Sequence, residues 1–379
     1  MRVYLDNAAT TAIDEEVLQE MIAVMREDYG NPSSIHADGR RVRTIIEKAR
    51  KRVASLLNVS PAEIFFTSGG TEADNTAIKR GIIDHDIQCA ISSPLEHHAV
   101  LHTLQEMEEA GLIQLHLLQV DAKGHIDYAQ LEELVATNPR SFVSLMHGNN
   151  EIGTLTDIKR VADICDAHGA LFHTDTVQTM GHFVHNLQEL KVSFLAGAAH
   201  KFHGPKGVGF LYIRHDVKIK PFINGGAQER NMRGGTENVY GIVGLAKALE
   251  LAYENMQEHR AYIQSLKDYM KEQLEANIPD VDFNGELDAD KSLYTVLNVS
   301  FPATDLADML LFNLDIAGIS ASGGSACSSG SNIGSHVLTA IGVDSARPCV
   351  RFSFCKHTTK EEIDFTVSKL KELCMEKIM

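Results

Sequence analysis

Among the residues able to do chemistry, a lysine comes first. Lys201 lies in AAHKFHGPKGVGFLYI, residues 198–213, between an apolar run and a Gly-Pro turn. Lysines are rarely buried without a partner. A lysine at a strand end could simply reach solvent. A desolvated one has a lowered pKa and a nucleophilic amine that can form a Schiff base. His200 beside it could donate to a phosphate. The run GPKGVG lacks the GK[ST] ending of a Walker loop, so its glycines read as tight-turn residues.

Two further segments suit a phosphate-bearing cofactor. TSGGTE, residues 67–72, follows an apolar run and precedes a helical pattern. A glycine turn there aims backbone N–H groups and a helix dipole at an anion, and Thr71 adds a hydroxyl. LFHTDTVQ, residues 171–178, closes a strand-like run with Asp175, at the edge where α/β sheets bind ligands. Asp175 reads as a cap or turn residue, or as a carboxylate holding a protonated pyridine nitrogen, which makes such a cofactor an electron sink. His173 and Asp175, with His97, His98 and His147, are an alternative metal set. No HExxH-like spacing supports it, so no metal is expected.

The segment SASGGSACSSGS, residues 320–331, carries Cys327. Such a composition buries too little apolar surface to order itself tightly, so a mobile loop is expected. Structural cysteines are normally buried, and this one reads instead as a reactive thiol on a swinging arm. The other five cysteines read as core residues in strands or helices. Arg351 interrupts the apolar run CVRFSF. Its fork suits a carboxylate bidentately, either in a structural ion pair or on the α-carboxylate of an amino-acid substrate.

These groups need a scaffold to converge. Residues 35–57 place apolar side chains at helical spacing, with Ser33 or Ser34 as the cap. Residues 64–67, 141–146, 171–174, 192–197 and 208–213 read as buried strands with helical segments between several of them. That alternation predicts an α/β domain around a mostly parallel sheet. One long helix is expected over 239–277. Strands near 293–301 and 350–354 follow, with helices near 304–314 and 359–377, which makes a smaller α+β domain. A chain of 379 residues suits two such domains.

The net charge of −16 and the absence of a basic run exclude a nucleic-acid binder, which needs a positive stripe. No apolar stretch approaches a membrane span. No signal peptide is expected at MRVYLDNAATT. The six cysteines form no CxxC pair, and a reducing, cytoplasmic setting fits them.

Taken together, the motifs resemble the cysteine desulfurases, in the class V aminotransferase branch of the fold-type I pyridoxal-phosphate enzymes. The motifs are YLDNAATT (4–11), TSGGTEADN (67–75), EHHAV (96–100), NNEIG (149–153), HTDTVQ (173–178), HKFHGPKG (200–207), GGAQERNMRGGTEN (225–238), GGSACSSG (323–330) and VRFSF (350–354). Any one is weak, but their order and spacing span nearly the whole chain. The resemblance implies a large domain over 14–255 with a seven-stranded, mostly parallel sheet, and a small domain from 1–13 and 256–379. It implies that Lys201 binds pyridoxal phosphate covalently and that His97 stacks on the ring and assists proton transfer. Asp175 would hold the ring nitrogen and Gln178 the phenolic oxygen. Gly70, Thr71 and His200 would hold the phosphate, joined by Thr236 from a second subunit of a homodimer. Asn150 and Arg351 would hold the carboxylate of L-cysteine, and Cys327, on a loop of the family's long type, would accept the sulfur.

The expected outcome is alanine and a Cys327 persulfide, which is passed to an acceptor protein such as an iron–sulfur scaffold, or toward thiolated tRNA or cofactors. The resemblance departs at Ala198, where the family has a serine. It departs again after the last helix, where scaffold-binding members carry a further tail. Selenocysteine lyase is the nearest alternative. A transaminase has no use for Cys327, and a cofactor-free sulfur carrier would leave Lys201 and Asp175 idle. A metal-dependent hydrolase is the remaining option.

Overall fold

The computed structural model describes residues 1–303, 309–323 and 334–375. Cys327 lies outside the described residues, as do parts of the helices expected over 304–314 and 359–377.

The strands, in chain order, are β1 (Val3–Tyr4), β2 (Ile64–Thr67), β3 (Cys89–Ser92), β4 (Gln114–Leu117), β5 (Phe142–Ser144) and β6 (Leu171–Asp175), then β7 (Phe194–Ala198), β8 (Gly209–Ile213), β9 (Asp282–Asn284), β10 (Val296–Ser300), β11 (Ile319–Ser320) and β12 (Cys349–Ser353). Among the described residues the large sheet has seven strands, in the order β2-β8-β7-β6-β5-β3-β4. The run β4-β3-β5-β6-β7 is parallel, and β8 lies antiparallel between β7 and β2. The sheet is thus mostly parallel, as the alternation of strand and helix patterns predicts.

Helices cover the sheet, which explains why β7 and β8 are buried at every position. The helix Gly70–Asp84 lies on one face through Ala73, Ala77, Ile78 and Ile82. It comes close because of Gly81. A Cβ there would sit 2.7 Å from Cε2 of Phe142 and 3.1 Å from Cε2 of Phe194. That close contact fixes where the N-terminus of this helix points.

A second apolar core joins the two ends of the chain. Val3 and Leu5 pack with Leu266, Met270, Leu297 and Phe352. β1 pairs in parallel with β11, while β9, β10 and β12 form an antiparallel sheet with β10 in the centre. Asn7 Nδ2 donates to the Ser353 carbonyl at 2.8 Å, and the Ala8 N–H donates to Ser353 Oγ at 2.8 Å. The N-terminal segment is thereby carried from this core to the edge of the large sheet.

Several expectations need correction. Residues 239–277 form two helices, Val239–Glu254 and Met256–Asn277. Asn255 separates them, and its side-chain amide donates to the Leu251 carbonyl at 3.3 Å, closing the first helix. The helix Ala37–Leu56 is capped by His36, whose Nδ1 accepts from the Gly39 N–H at 3.3 Å. Ser33 and Ser34 do not cap it: they lie in the preceding turn, where their N–H groups bond to Asn31, and the cap position falls at His36. β3 and β4 are short strands that the sequence pattern missed. Cys355 lies in the loop after β12 and not in a strand, although it is buried. Among the described residues no helix is long and apolar enough to cross a membrane.

Candidate active site

The C-terminal ends of β5, β6 and β7 open onto a cavity of about 230 Å³. Gly70, Thr71, His97, Asn150 and Asp175 line it, as do Gln178, His200, Lys201 and Arg351. Residues from segments up to 281 positions apart in sequence therefore meet in one place.

Lys201 ends the short turn Ala199–Lys201 that follows β7. Its Nζ donates to the carbonyls of Ala8, at 2.5 Å, and Ala9, at 2.9 Å. Gln178 Nε2 also donates to the Ala8 carbonyl, at 2.9 Å. The N-terminal segment thus holds two of the candidate groups together.

Asp175 is the last residue of β6 and is buried. Its Oδ1 accepts from the Val177 N–H at 2.8 Å. Burial, with Asp74 nearby, pushes its carboxyl up to about 7. A buried carboxyl of this kind ionises more readily when a cation sits against it.

His97 caps the helix His98–Glu109, with Nδ1 accepting from the Ala99 N–H at 3.1 Å. The neutral ring therefore carries its proton on Nε2. Burial and then the Lys201 charge lower its pKa to about 4, so the ring is neutral near pH 7. His200, whose Nδ1 lies 3.2 Å from Thr10 Oγ1, is lowered to about 4 by burial and by Lys201.

Gly70 and Thr71 open the helix Gly70–Asp84, whose first N–H groups have no helical acceptors. A Cβ on Gly70 would lie 2.7 Å from Cγ2 of Val177, so a larger residue would crowd the space at this helix N-terminus. Ala198, at the end of β7, places a methyl group 3.7 Å from that Cβ position. Arg351 is buried in β12. Its Nη2 lies 2.8 Å from Asp6 Oδ1, and Nη1 donates to the Asn150 carbonyl at 2.8 Å. The ion-pair reading of Arg351 is therefore realised, and the same residue also faces the cavity.

Thr236 is not part of this cavity. It is exposed and borders a separate hollow with Arg233 and Glu237. The alternative metal set is not assembled either. His147 contacts Thr179 and His185, His98 stacks on His102, and His173 is buried against Ser144. Among the described residues, the trio within joint liganding distance is Asp14, His203 and His357, none of which belongs to that set.

Sequence reasoning missed three contributors. The carbonyls of Ala8 and Ala9 carry no side-chain signal. Asp74 lines the cavity with its Oδ1 3.4 Å from Nε2 of His173. Glu96, fully enclosed and raised well above the ordinary carboxyl range by burial, accepts from the Met146 N–H at 2.9 Å. Both acids lie inside quoted motifs, TEADN and EHHAV, but nothing in their spacing assigns them a place.

An amine, a buried acid, a neutral imidazole and a helix N-terminus around one cavity are the parts that a phosphorylated pyridine cofactor requires. They define the class, and the profile of the aminotransferase class-V family matches residues 3–365. The cysteine desulfurase IscS of Dictyoglomus turgidum is 43% identical over 98% of this chain and 94% of its own. A solved structure of a NifS-like protein has a TM-score of 0.91 at 40% identity, covering 98% of this chain and 99% of that one. A structure of SspA in complex with cysteine has a TM-score of 0.80 at 30% identity, covering 95% and 100%. The chain belongs to the class V aminotransferase family, in its cysteine desulfurase branch.

Proposed function

We propose that this chain takes sulfur from L-cysteine, using pyridoxal phosphate on Lys201, and leaves L-alanine and a persulfide on Cys327. The observation that carries the reading is the convergence of Lys201, Asp175 and the Gly70–Thr71 helix start on a cavity that also contains Arg351.

The cavity suits the cofactor. Gly70, Thr71 and His200 would hold its phosphate, and Asp175 would hold its ring nitrogen. His97 would stack on the ring, and Gln178 would bind its phenolic oxygen. When bound, pyridoxal phosphate supplies an electron sink for the substrate's α-carbon. The protein does the rest. Arg351 and Asn150 hold the substrate carboxylate. Lys201 Nζ removes the α-proton, and the neutral His97 assists proton transfer. Cys327 attacks the substrate sulfur as a thiolate, because the thiol is a poor nucleophile. The S–S bond forms as the C–S bond breaks, and the protonated carbon fragment leaves as alanine.

Thr236 is exposed outside the cavity, which suits a phosphate contact given to the second subunit of a homodimer. We also take residues 14–255 as the large domain and residues 1–13 with 256–379 as the small one. A cytoplasmic setting and a sulfur-acceptor protein, such as an iron–sulfur scaffold, complete the reading. The test is wild-type protein with L-cysteine and a reductant, measuring sulfide and alanine together. Equal yields, with a visible band lost on borohydride treatment, support it. Colour with no sulfide would move the substrate to selenocysteine or another amino acid. Neither colour nor sulfide, after cofactor addition, would overturn it.

A further inference from the structure

We propose that Asp6 positions Arg351 and weakens its hold on the substrate carboxylate, so that alanine can leave. The inference rests on the reading of Arg351 as the carboxylate site. Among the described residues, Asp6 is the carboxylate in ion-pair contact with Arg351, at 2.8 Å. The Arg351 side chain is 1% exposed and that of Asp6 is 18% exposed, so water screens the pair little. Asp6 is itself held in place. Its Oδ1 also accepts from Ser322 Oγ at 2.8 Å, and its backbone forms a bridge with Ser353, two residues beyond Arg351. Ser322 in turn pairs with Arg351 through the backbone, with the Arg351 N–H donating to the Ser322 carbonyl at 2.6 Å.

Two consequences follow. The guanidinium is locked between Asp6 and the Asn150 carbonyl, so its orientation exists before any substrate arrives. Its charge is also already balanced. Substrate and product both carry an α-carboxylate, and each meets an arginine that already has a partner, with a like charge beside it. Binding is therefore looser than to a bare arginine, and product release is faster. Asp6 acts through Arg351 and is a positioning residue, not a catalytic one.

Asp6→Asn keeps the shape and the hydrogen-bond acceptor but removes the charge. In the holoenzyme it should lower the Kd for L-alanine and the KM for L-cysteine about tenfold, since like-charge repulsion at this range is large outside bulk water. It should lower kcat several-fold through slow product release. L-Alanine should also raise the Tm of D6N more than that of the wild type, a readout independent of turnover. Asp6→Ala removes the shape as well and should raise KM about tenfold. A D6N protein whose alanine Kd is unchanged or weaker overturns the inference. If D6N does not fold, Asp6→Glu carries the test. It keeps the charge but displaces the guanidinium, so KM and alanine Kd should rise together about tenfold with kcat nearly constant. Wild-type constants in D6E overturn the positioning role. Arg351→Gln separates the two readings: if it leaves alanine affinity unchanged, the reading of Arg351 fails, whatever Asp6 does.

Discussion

The two sides of the cavity are built on different electrostatic terms. On the large-sheet side, Asp175, Asp74, His97 and His200 are enclosed groups that burial drives toward their neutral forms. On the other side, the buried Arg351 guanidinium is paired with the Asp6 carboxylate. The first side suits a resident group that supplies its own charges. The second suits a transient guest, because a charge already balanced is easily exchanged. On the proposed reading, cofactor retention and substrate turnover fall to separate surfaces.

Substitutions can test that division. The largest effect is expected for Lys201→Ala and Cys327→Ser, each of which should cut sulfide release from cysteine by about a thousandfold or more. Only the first should also abolish the borohydride-sensitive band, so absorbance and sulfide measured together separate the two. Asp175→Ala should lower kcat roughly a hundredfold and weaken cofactor retention, with a smaller effect on KM. Arg351→Lys should do the reverse, raising KM for cysteine about tenfold while the bound cofactor stays, because an ammonium lacks the planar fork. Equal loss of cofactor in both variants would erase the comparison.

A subtler test uses pH. Asp74 is raised to about 8 from 3.8 by burial alone. The folded state therefore holds that proton when the unfolded chain has lost it. The stability it contributes is full below about pH 4 and is lost as pH rises toward 8. Asp74→Asn lacks this loss, so its Tm relative to wild type should climb between pH 5 and 8, by ~5 °C, and then level off. A pH-independent difference would refute the assignment. The smallest effect is expected for Ala198→Ser. It adds a hydroxyl beside Gly70 and should slow cofactor loss a few-fold, measured by dialysis.

Much of the first side was legible in the sequence because its signals are local. Lys201, Asp175 and Gly70 each sit where a strand-like run meets a turn, and that context points to the edge of an α/β sheet. The second side was less legible. Arg351 was visible as an odd residue in an apolar strand, but its partner Asp6 lies 345 positions away. Ala8 and Ala9 act through carbonyls that every residue possesses. β4 was missed because it is an edge strand with no buried position, so it lacks the apolar run that marks the others. The break at Asn255 was missed because apolar spacing continues on both sides of it.

The N-terminal segment also constrains the order of events during synthesis. Asn7 and Ala8 bond to Ser353, and Thr11 bonds to the His200 carbonyl. Asn7 and Ala8 must therefore stay bonded to water until residue 353 has been made. Such distant pairings are slow to form. A nascent chain can build the central sheet early, but the segment that offers the Ala8 and Ala9 carbonyls to Lys201 is anchored only once Ser353 joins it. Competence to bind the cofactor should therefore appear only after residue 353 has been made.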